Sequence, residues 1–238
     1  MTAATAPEPG TLDEGQVRAM FDRIAGVYDR MNEVMTAGLD RRWRERAADL
    51  AVVGPGSRVL DVATGTGDLA IELSGRVGPG GEVVGSDFSE RMLELARVKA
   101  PGISFQQANA LDMPYSDGCF DAVTVAFGAR NFSDLDRGLA EMARVVAPGG
   151  RVVVLEITTP RRPPLSTFYR LWFDRVVPGL GRLAGDPSAY AYLPSSVRRF
   201  PGPEELAARM AGAGLVRIRW ILTAGGIIAI HVGERTAS

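Results

Sequence analysis

Twenty-seven basic residues against twenty-eight acidic ones leave this 238-residue chain with a net charge of −1, without the basic excess of a nucleic-acid binder. Hydrophobic residues are 46% and charged residues 23% of the total, which excludes a disordered or fibrous chain, and the length suits one α/β domain. The longest uncharged apolar run, Trp220–Val232, is broken by Thr223, Gly225 and Gly226 and falls short of the ~20 residues that span a bilayer; the one cysteine, Cys119, allows neither an internal disulfide nor a cysteine-built zinc site.

Residues 1–12, rich in Thr, Ala and Pro, read as a flexible tail ahead of one domain over 13–238. Met1–Gly10 has neither the basic start nor the apolar stretch of an export signal, so a cytoplasmic protein is expected. Over 13–50 the pattern is helical. Val17, Met20, Phe21, Ile24 and Tyr28 recur at spacings of three and four, and Trp43, Ala47 and Leu50 do so after a break near Gly38.

Arg58–Ala63 then reads as a strand ending in Thr64-Gly65-Thr66-Gly67, followed by a helix over Asp68–Arg76. A second strand, Glu82–Asp87, leads into a helix with Ser89 as N-cap. Strands at Ile103–Gln107, Phe120–Phe127 and Arg151–Ile157 continue the alternation, with a helix over Leu135–Val146. Residues 160–200 interrupt it as an insertion; a helix at Pro203–Ala213 and strands at Leu215–Leu222 and Ile227–Val232 close the chain. Short apolar strands separated by helices predict a doubly wound, mostly parallel, seven-stranded sheet with a helical cap. The short Ala224-Gly225-Gly226 link makes the last strand antiparallel.

The glycines after the first strand let the backbone turn sharply and approach a ligand, and the following helix points free N–H groups into the same crevice. Asp87, twenty residues beyond Gly67, stands where an acid accepts from both hydroxyls of a ribose. This pattern fits NAD and S-adenosylmethionine alike. Asp61, four residues before Gly65, would repel a diphosphate and attract an α-ammonium group, and too little chain follows for a second nucleotide-binding half. Both points favour S-adenosylmethionine.

Asp61-Val62-Ala63-Thr64-Gly65-Thr66-Gly67-Asp68, Asn109-Ala110, Phe120-Asp121-Ala122-Val123 and Arg144-Val145-Val146-Ala147-Pro148-Gly149-Gly150 resemble the successive motifs of class I methyltransferases. More narrowly, the chain resembles the UbiE/MenG family of ubiquinone and menaquinone C-methyltransferases. The resemblance is carried by Met20-Phe21-Asp22-Arg23-Ile24-Ala25, Tyr28-Asp29, Asn32, Trp43-Arg44, Phe127-Gly128-Ala129-Arg130-Asn131, Leu155-Glu156, Ser196-Val197-Arg198-Arg199-Phe200 and Ala229-Ile230-His231-Val232-Gly233. It implies that Thr66 and the backbone of Gly65 to Gly67 hold the methionine part of the cofactor and that Asp87 binds the ribose. It also implies that Asn109 and Ala110 face the adenine. The chain departs from the family in carrying Thr64 for a second glycine, Ala126 for a serine and Ala129 for a leucine, so Ala126 would contribute its backbone alone.

Methyl transfer from a sulfonium needs alignment and a nucleophilic acceptor carbon, which a quinol ring gains when its hydroxyl loses a proton. Arg130 and Asn131, after the fourth strand, are candidates to stabilise that oxygen, with Tyr28 from the cap completing the pocket. Their structural alternatives are a helix-capping ion-pair partner, a turn residue and a core aromatic. His231, the only histidine, lies mid-strand and reads as structural, and Glu156 and Asp121 occupy positions typical of ion pairs and caps. No metal-ligand spacing occurs.

The stretch Pro160–Gly185 sets Phe168, Tyr169, Trp172 and Phe173 among five arginines, suited either to closing a pocket or to meeting a membrane surface. The resemblance implies a prenylated quinol as substrate, with demethylmenaquinol first and a ubiquinone precursor or a soluble phenolic metabolite as alternatives. Transient membrane contact is expected for such a substrate. A homodimer is compatible with these residues.

Overall fold

The computed structural model describes residues 13–160, 163, 165–171 and 187–237. Strands β1 (Arg58–Val62), β2 (Glu82–Asp87), β3 (Ser104–Gln107), β4 (Phe120–Ala126), β5 (Val146–Ile157), β6 (Leu215–Thr223) and β7 (Ile228–Arg235) form one sheet. Its order is β3-β2-β1-β4-β5-β7-β6. The first five strands run parallel, and β7 pairs antiparallel with both β5 and β6. The order reverses between β1 and β4, so the chain leaves these neighbours in opposite directions and opens a crevice at their carboxyl ends.

Helices cover both faces: α3 (Leu39–Ala51), α4 (Asp68–Val77), α5 (Glu90–Lys99), α6 (Leu135–Val145) and α9 (Pro203–Gly212). Consecutive strand residues point to opposite faces, and both faces are buried, which is why the central strands are almost wholly apolar. Val59, Val153 and Leu155 pack against Ala47, Ala48, Leu69 and Leu73. Leu60, Val152 and Val154 pack on the other side against Leu139, Met142, Leu206 and Met210.

The N-terminal residues form three helical segments where the apolar spacing suggested two. Helix α1 (Glu14–Ile24), opened by an Asp13/Gln16 capping box, gives way to a 3₁₀ turn at Ala25–Val27 before α2 (Tyr28–Thr36). Gly26 inside this turn weakens helix continuity. Strand β5 begins earlier than expected, at Val146, with a register shift across Pro148-Gly149-Gly150. Helices α7 (Leu165–Leu171) and α8 (Pro187–Arg199) come from the interrupting region. There Tyr169, Tyr192 and Val197 pack with Val17, Met20 and Ile24, joining the insertion to the N-terminal helices. Residues 1–12 and 172–186, on which the tail and half of the aromatic, arginine-rich stretch were placed, lie outside the described residues. No helix among the described residues is long and apolar enough to cross a membrane.

Candidate active site

Three adjoining cavities open at the carboxyl edge of the sheet beneath α1 and α2, and Tyr28 lines all three. The first, of about 930 Å³, collects Asp61, Gly65, Thr66, Asp87, Asn109, Ala110 and Ala126 along one wall. Seven of the eight residues expected to hold a cofactor therefore share one space. Gly67 is the correction. With φ of +88° it opens α4, and a Cβ on it would stand 3.0 Å from the Phe105 ring. It is glycine because that ring and the left-handed backbone leave no room, and it is not part of the cavity wall.

Burial pushes the carboxyls of Asp61 and Asp87 up to about 6. For Asp61 the hydroxyls of Thr64 and Thr124, donating at 2.6 and 2.7 Å, and the nearby Arg44 oppose that rise. Thr64, which replaces a glycine common in the resembled family, thus acts as a donor to the acid. Asp87 accepts from the backbone N–H groups of Ser89 and Gly65, each at 2.9 Å, which fixes both oxygens against the glycine loop. Above Gly65, at φ of +57°, a Cβ would find only the Tyr28 ring at 4.0 Å, so this backbone is open to a ligand. Asn109 Oδ1 accepts from the Leu111 N–H at 2.9 Å, an Asx turn that shapes the far end of the cavity.

The cap is fastened across this cavity by acidic side chains. Asp22 accepts from the Ser89 hydroxyl at 2.5 Å, Asp29 from the Thr66 hydroxyl at 2.5 Å, and Glu14 from the Ser133 hydroxyl. Lys99, the only lysine, bridges Asp29 and Asp68. Three contributors went unassigned in the sequence. Arg44, buried and ion-paired to Asp40 and Asp68, lies 5.4 Å from the centre of the Phe127 ring. Phe127 itself sits at φ of +58°, a conformation bulky residues seldom adopt. Phe88 lines the same cavity directly after Asp87, and that adjacency was the only available signal.

The second cavity, of about 470 Å³, brings together Tyr28, Arg130, Asn131 and Tyr192, and Asn131 also lines the first. The three candidate catalytic residues therefore converge, with Tyr192 added from α8. Arg130 is held by Glu156, whose two oxygens lie 3.2 and 2.9 Å from its terminal nitrogen. Glu156 Oε1 also accepts the Arg130 backbone N–H at 3.1 Å, so the ion-pair and capping alternatives are both realised. Among the described residues, two buried polar atoms here nonetheless lack a protein hydrogen-bond partner, Arg130 Nε and Asn131 Oδ1. His231 lines none of these cavities. It is fully buried, with Nε2 2.9 Å from the Pro203 carbonyl oxygen and its ring stacked on Trp220. Asp121 is likewise structural, accepting from the Arg58 N–H at 2.7 Å.

Two buried carboxylates at separate points of one cavity suit a ligand with a cationic end and a ribose, and are hostile to a diphosphate. Over residues 10–235 the sequence matches the ubiE/COQ5 methyltransferase family. The chain belongs to that family. It is 51% identical over 221 residues to the demethylmenaquinone methyltransferase of Thermus thermophilus, covering 91% of this chain and 100% of that protein. With the demethylmenaquinone methyltransferase of Deinococcus radiodurans it shares 49% identity over 242 residues, 99% and 100% of the two chains. A SAM-dependent methyltransferase of Thermotoga maritima, solved as a possible histamine N-methyltransferase, has the same fold with a TM-score of 0.66 at 20% identity, over 92% of this chain and 99% of its own. This ubiE/COQ5 family member is thus an S-adenosylmethionine-dependent methyltransferase.

Proposed function

We propose that this methyltransferase methylates a ring carbon of demethylmenaquinol, with the cofactor in the first cavity and the ring in the second. The relatives named demethylmenaquinone methyltransferase support this acceptor. The observation that carries the ring's placement is the pair of unpartnered buried atoms, Arg130 Nε and Asn131 Oδ1, beside the cofactor cavity. A buried donor and acceptor left unmade are costly unless a ligand completes them. Bound S-adenosylmethionine supplies a methyl group already activated by the positive sulfur.

The protein's part is to position and to polarise. Asp61 takes the α-ammonium group and Thr66 with Gly65 the rest of the methionine end. Asp87 accepts from the ribose, and Asn109, Ala110 and the Ala126 backbone border the adenine. Glu156 neutralises Arg130, so the guanidinium works through its free Nε–H as a directed donor to the ring oxygen rather than as an uncompensated charge. Donation there favours the deprotonated quinol and pushes electron density toward the attacked carbon. Asn131 Oδ1 accepts from the ring's remaining hydroxyl, and Tyr28 closes the space between ring and cofactor.

The ring's natural carrier lives in the bilayer, so the enzyme docks transiently on the inner membrane surface. Retention of all protein in the supernatant after sedimentation with anionic vesicles, with and without quinone, would remove this part. The central test is labelled methyl transfer to demethylmenaquinol and to a ubiquinone precursor side by side. Asp87→Ala should weaken S-adenosylmethionine binding by at least tenfold, whereas Arg130→Ala should lower turnover with that affinity intact. Transfer to the ubiquinone precursor alone refutes the proposed acceptor.

A further inference from the structure

Methyl transfer to a ring carbon releases one proton, and Arg130 cannot receive it, because a guanidinium keeps its charge in proteins. Among the described residues lining the second cavity there is no Asp, Glu, His, Lys or Cys. Ser196 there donates its hydroxyl to the Leu193 carbonyl at 3.0 Å. Two phenols are left, Tyr28 and Tyr192. Tyr28 also borders the first and third cavities, whereas Tyr192 borders the second alone. Tyr192 is only 9% exposed, yet α8 sets it beside the exposed Arg199. The Arg199 guanidinium carbon lies 5.7 Å from the centre of the Tyr192 ring, and the guanidinium donates to the phenol oxygen. One side chain thus reaches from a buried cavity to the protein surface. Burial pushes the Tyr192 phenol up; the charges of Arg199 and Arg130 oppose that rise, and Glu156 adds to it. From α1 it meets the apolar Val17, Met20 and Ile24. Tyr192 therefore rests protonated, able to pass one proton on as it takes another.

We propose that Tyr192 is a catalytic residue, a proton relay between the acceptor ring and water at the Arg199 surface. The proposal rests on the acceptor-ring placement given above. The ring O–H bond breaks toward the Tyr192 oxygen while the Tyr192 proton passes to a water molecule beside Arg199. The freed electron pair enters the ring, whose carbon bonds to the methyl as sulfur keeps the pair of the broken S–C bond. That carbon then yields its hydrogen as a proton to Tyr192, which returns its own proton to the ring oxygen. The C–H pair restores the aromatic ring, and one proton has left per methyl transferred. A quinol hydroxyl is itself a phenol, so donor and acceptor are closely matched in acidity, which suits proton transfer in both directions.

The test compares wild type, Tyr192→Phe and Arg199→Met between pH 7 and 9, on whichever of demethylmenaquinol and the ubiquinone precursor wild type methylates. Tyr192→Phe should lower kcat at pH 7 about a hundredfold. Its affinity for S-adenosylmethionine should stay within twofold of wild type, because Tyr192 lies outside the first cavity. Without the relay the ring hydroxyl must ionise unaided, so the deficit should shrink about tenfold per pH unit as the ordinary phenol value near 10 is approached. A structural fault would lower kcat by the same factor at every pH. Arg199→Met, at an exposed position, should show a deficit of about tenfold that shrinks in the same way, and it decides the matter if Tyr192→Phe does not fold. Wild-type kcat in the deciding variant, or a deficit equal at pH 7 and 9, overturns the relay. Methylation of the ubiquinone precursor alone refutes the proposed acceptor, and the same profiles on that ring then decide the relay. Methylation of neither acceptor overturns both.

Discussion

Asp29 of α2 accepts a hydrogen bond from the Thr66 hydroxyl at 2.5 Å, joining the N-terminal helices to the glycine loop that ends β1. The same carboxylate takes Lys99 at 2.7 Å through its other oxygen. One side chain thus fastens the cap to two elements that border the cofactor cavity. Asp29→Ala removes both links, at about 1–2 kcal/mol, which corresponds to a five- to thirty-fold change in a local opening equilibrium. Amide exchange across 14–36 should accelerate by that factor, while exchange in β1 and β4 stays at the wild-type rate. Unchanged exchange in α1 and α2 would show that apolar packing alone holds the cap.

The pH dependence follows from Asp61 and Asp87, both raised by burial to about 6 from an ordinary 3.8. Folding therefore favours their protonated forms, so their contribution to stability is present below about pH 4 and is lost as pH rises through 6. A cation against Asp61 and hydroxyls donating to Asp87 favour the ionised forms and reverse this. Calorimetry should show S-adenosylmethionine binding weaker at pH 5 than at pH 7 by about tenfold for each carboxylate that must ionise, about a hundredfold for both, with proton release below pH 6. Asp61→Asn should flatten much of that slope and weaken binding at least tenfold at pH 7 without lowering the melting temperature, because a buried charge has been removed. A profile of affinity that is flat between pH 5 and 7 contradicts the assignment of either carboxylate.

Arg130 and Glu156 expose only 8% and 1% of their side chains. Glu156→Gln leaves a buried guanidinium uncompensated, and breaking such a pair costs about 3–5 kcal/mol. Melting temperature should fall steeply. Arg130→Lys keeps a charge near Glu156 but cannot reproduce both the pair and the Nε–H donor. It should retain the fold and lower kcat about a hundredfold, with cofactor affinity within twofold of wild type. Wild-type turnover in Arg130→Lys would move the polarising role elsewhere.

His231 offers a control on the proton chemistry. Burial lowers its basicity, and its Nε2 is committed to the Pro203 carbonyl. His231→Phe leaves that carbonyl unpaired and should cost about 1–3 kcal/mol of stability. Turnover per folded molecule, and the shape of its pH profile, should match wild type. A lost limb in the pH–rate profile would make the only histidine a participant after all.

Local rules located the sheet closely. Six of the seven strands begin within one residue of where their apolar runs place them, because each run is bounded by glycine, proline or a cap that ends it. The exception, β5, continues back through Pro148-Gly149-Gly150, and only its pairing with β4 shows this. Likewise Gly67 and Gly65 look alike in sequence, yet one faces the Phe105 ring and the other a cavity. The difference depends on β3, thirty-eight residues away in the chain.

The order of residues thus settled the alternating strands and helices, the carboxylates at the ends of β1 and β2, and kinship with a methyl-transferring family. Periodicity and turn chemistry act over a few positions, and a succession of short motifs in one order along the chain carries the kinship that no single motif does. The pairing of Arg130 with Glu156, the clasp of Asp29 on Thr66, and the cavity shared by Arg130 and Tyr192 arise only when distant segments meet. Each is a matter of distance between side chains far apart in the chain, and burial then sets its energy by excluding the water that would otherwise satisfy the same groups.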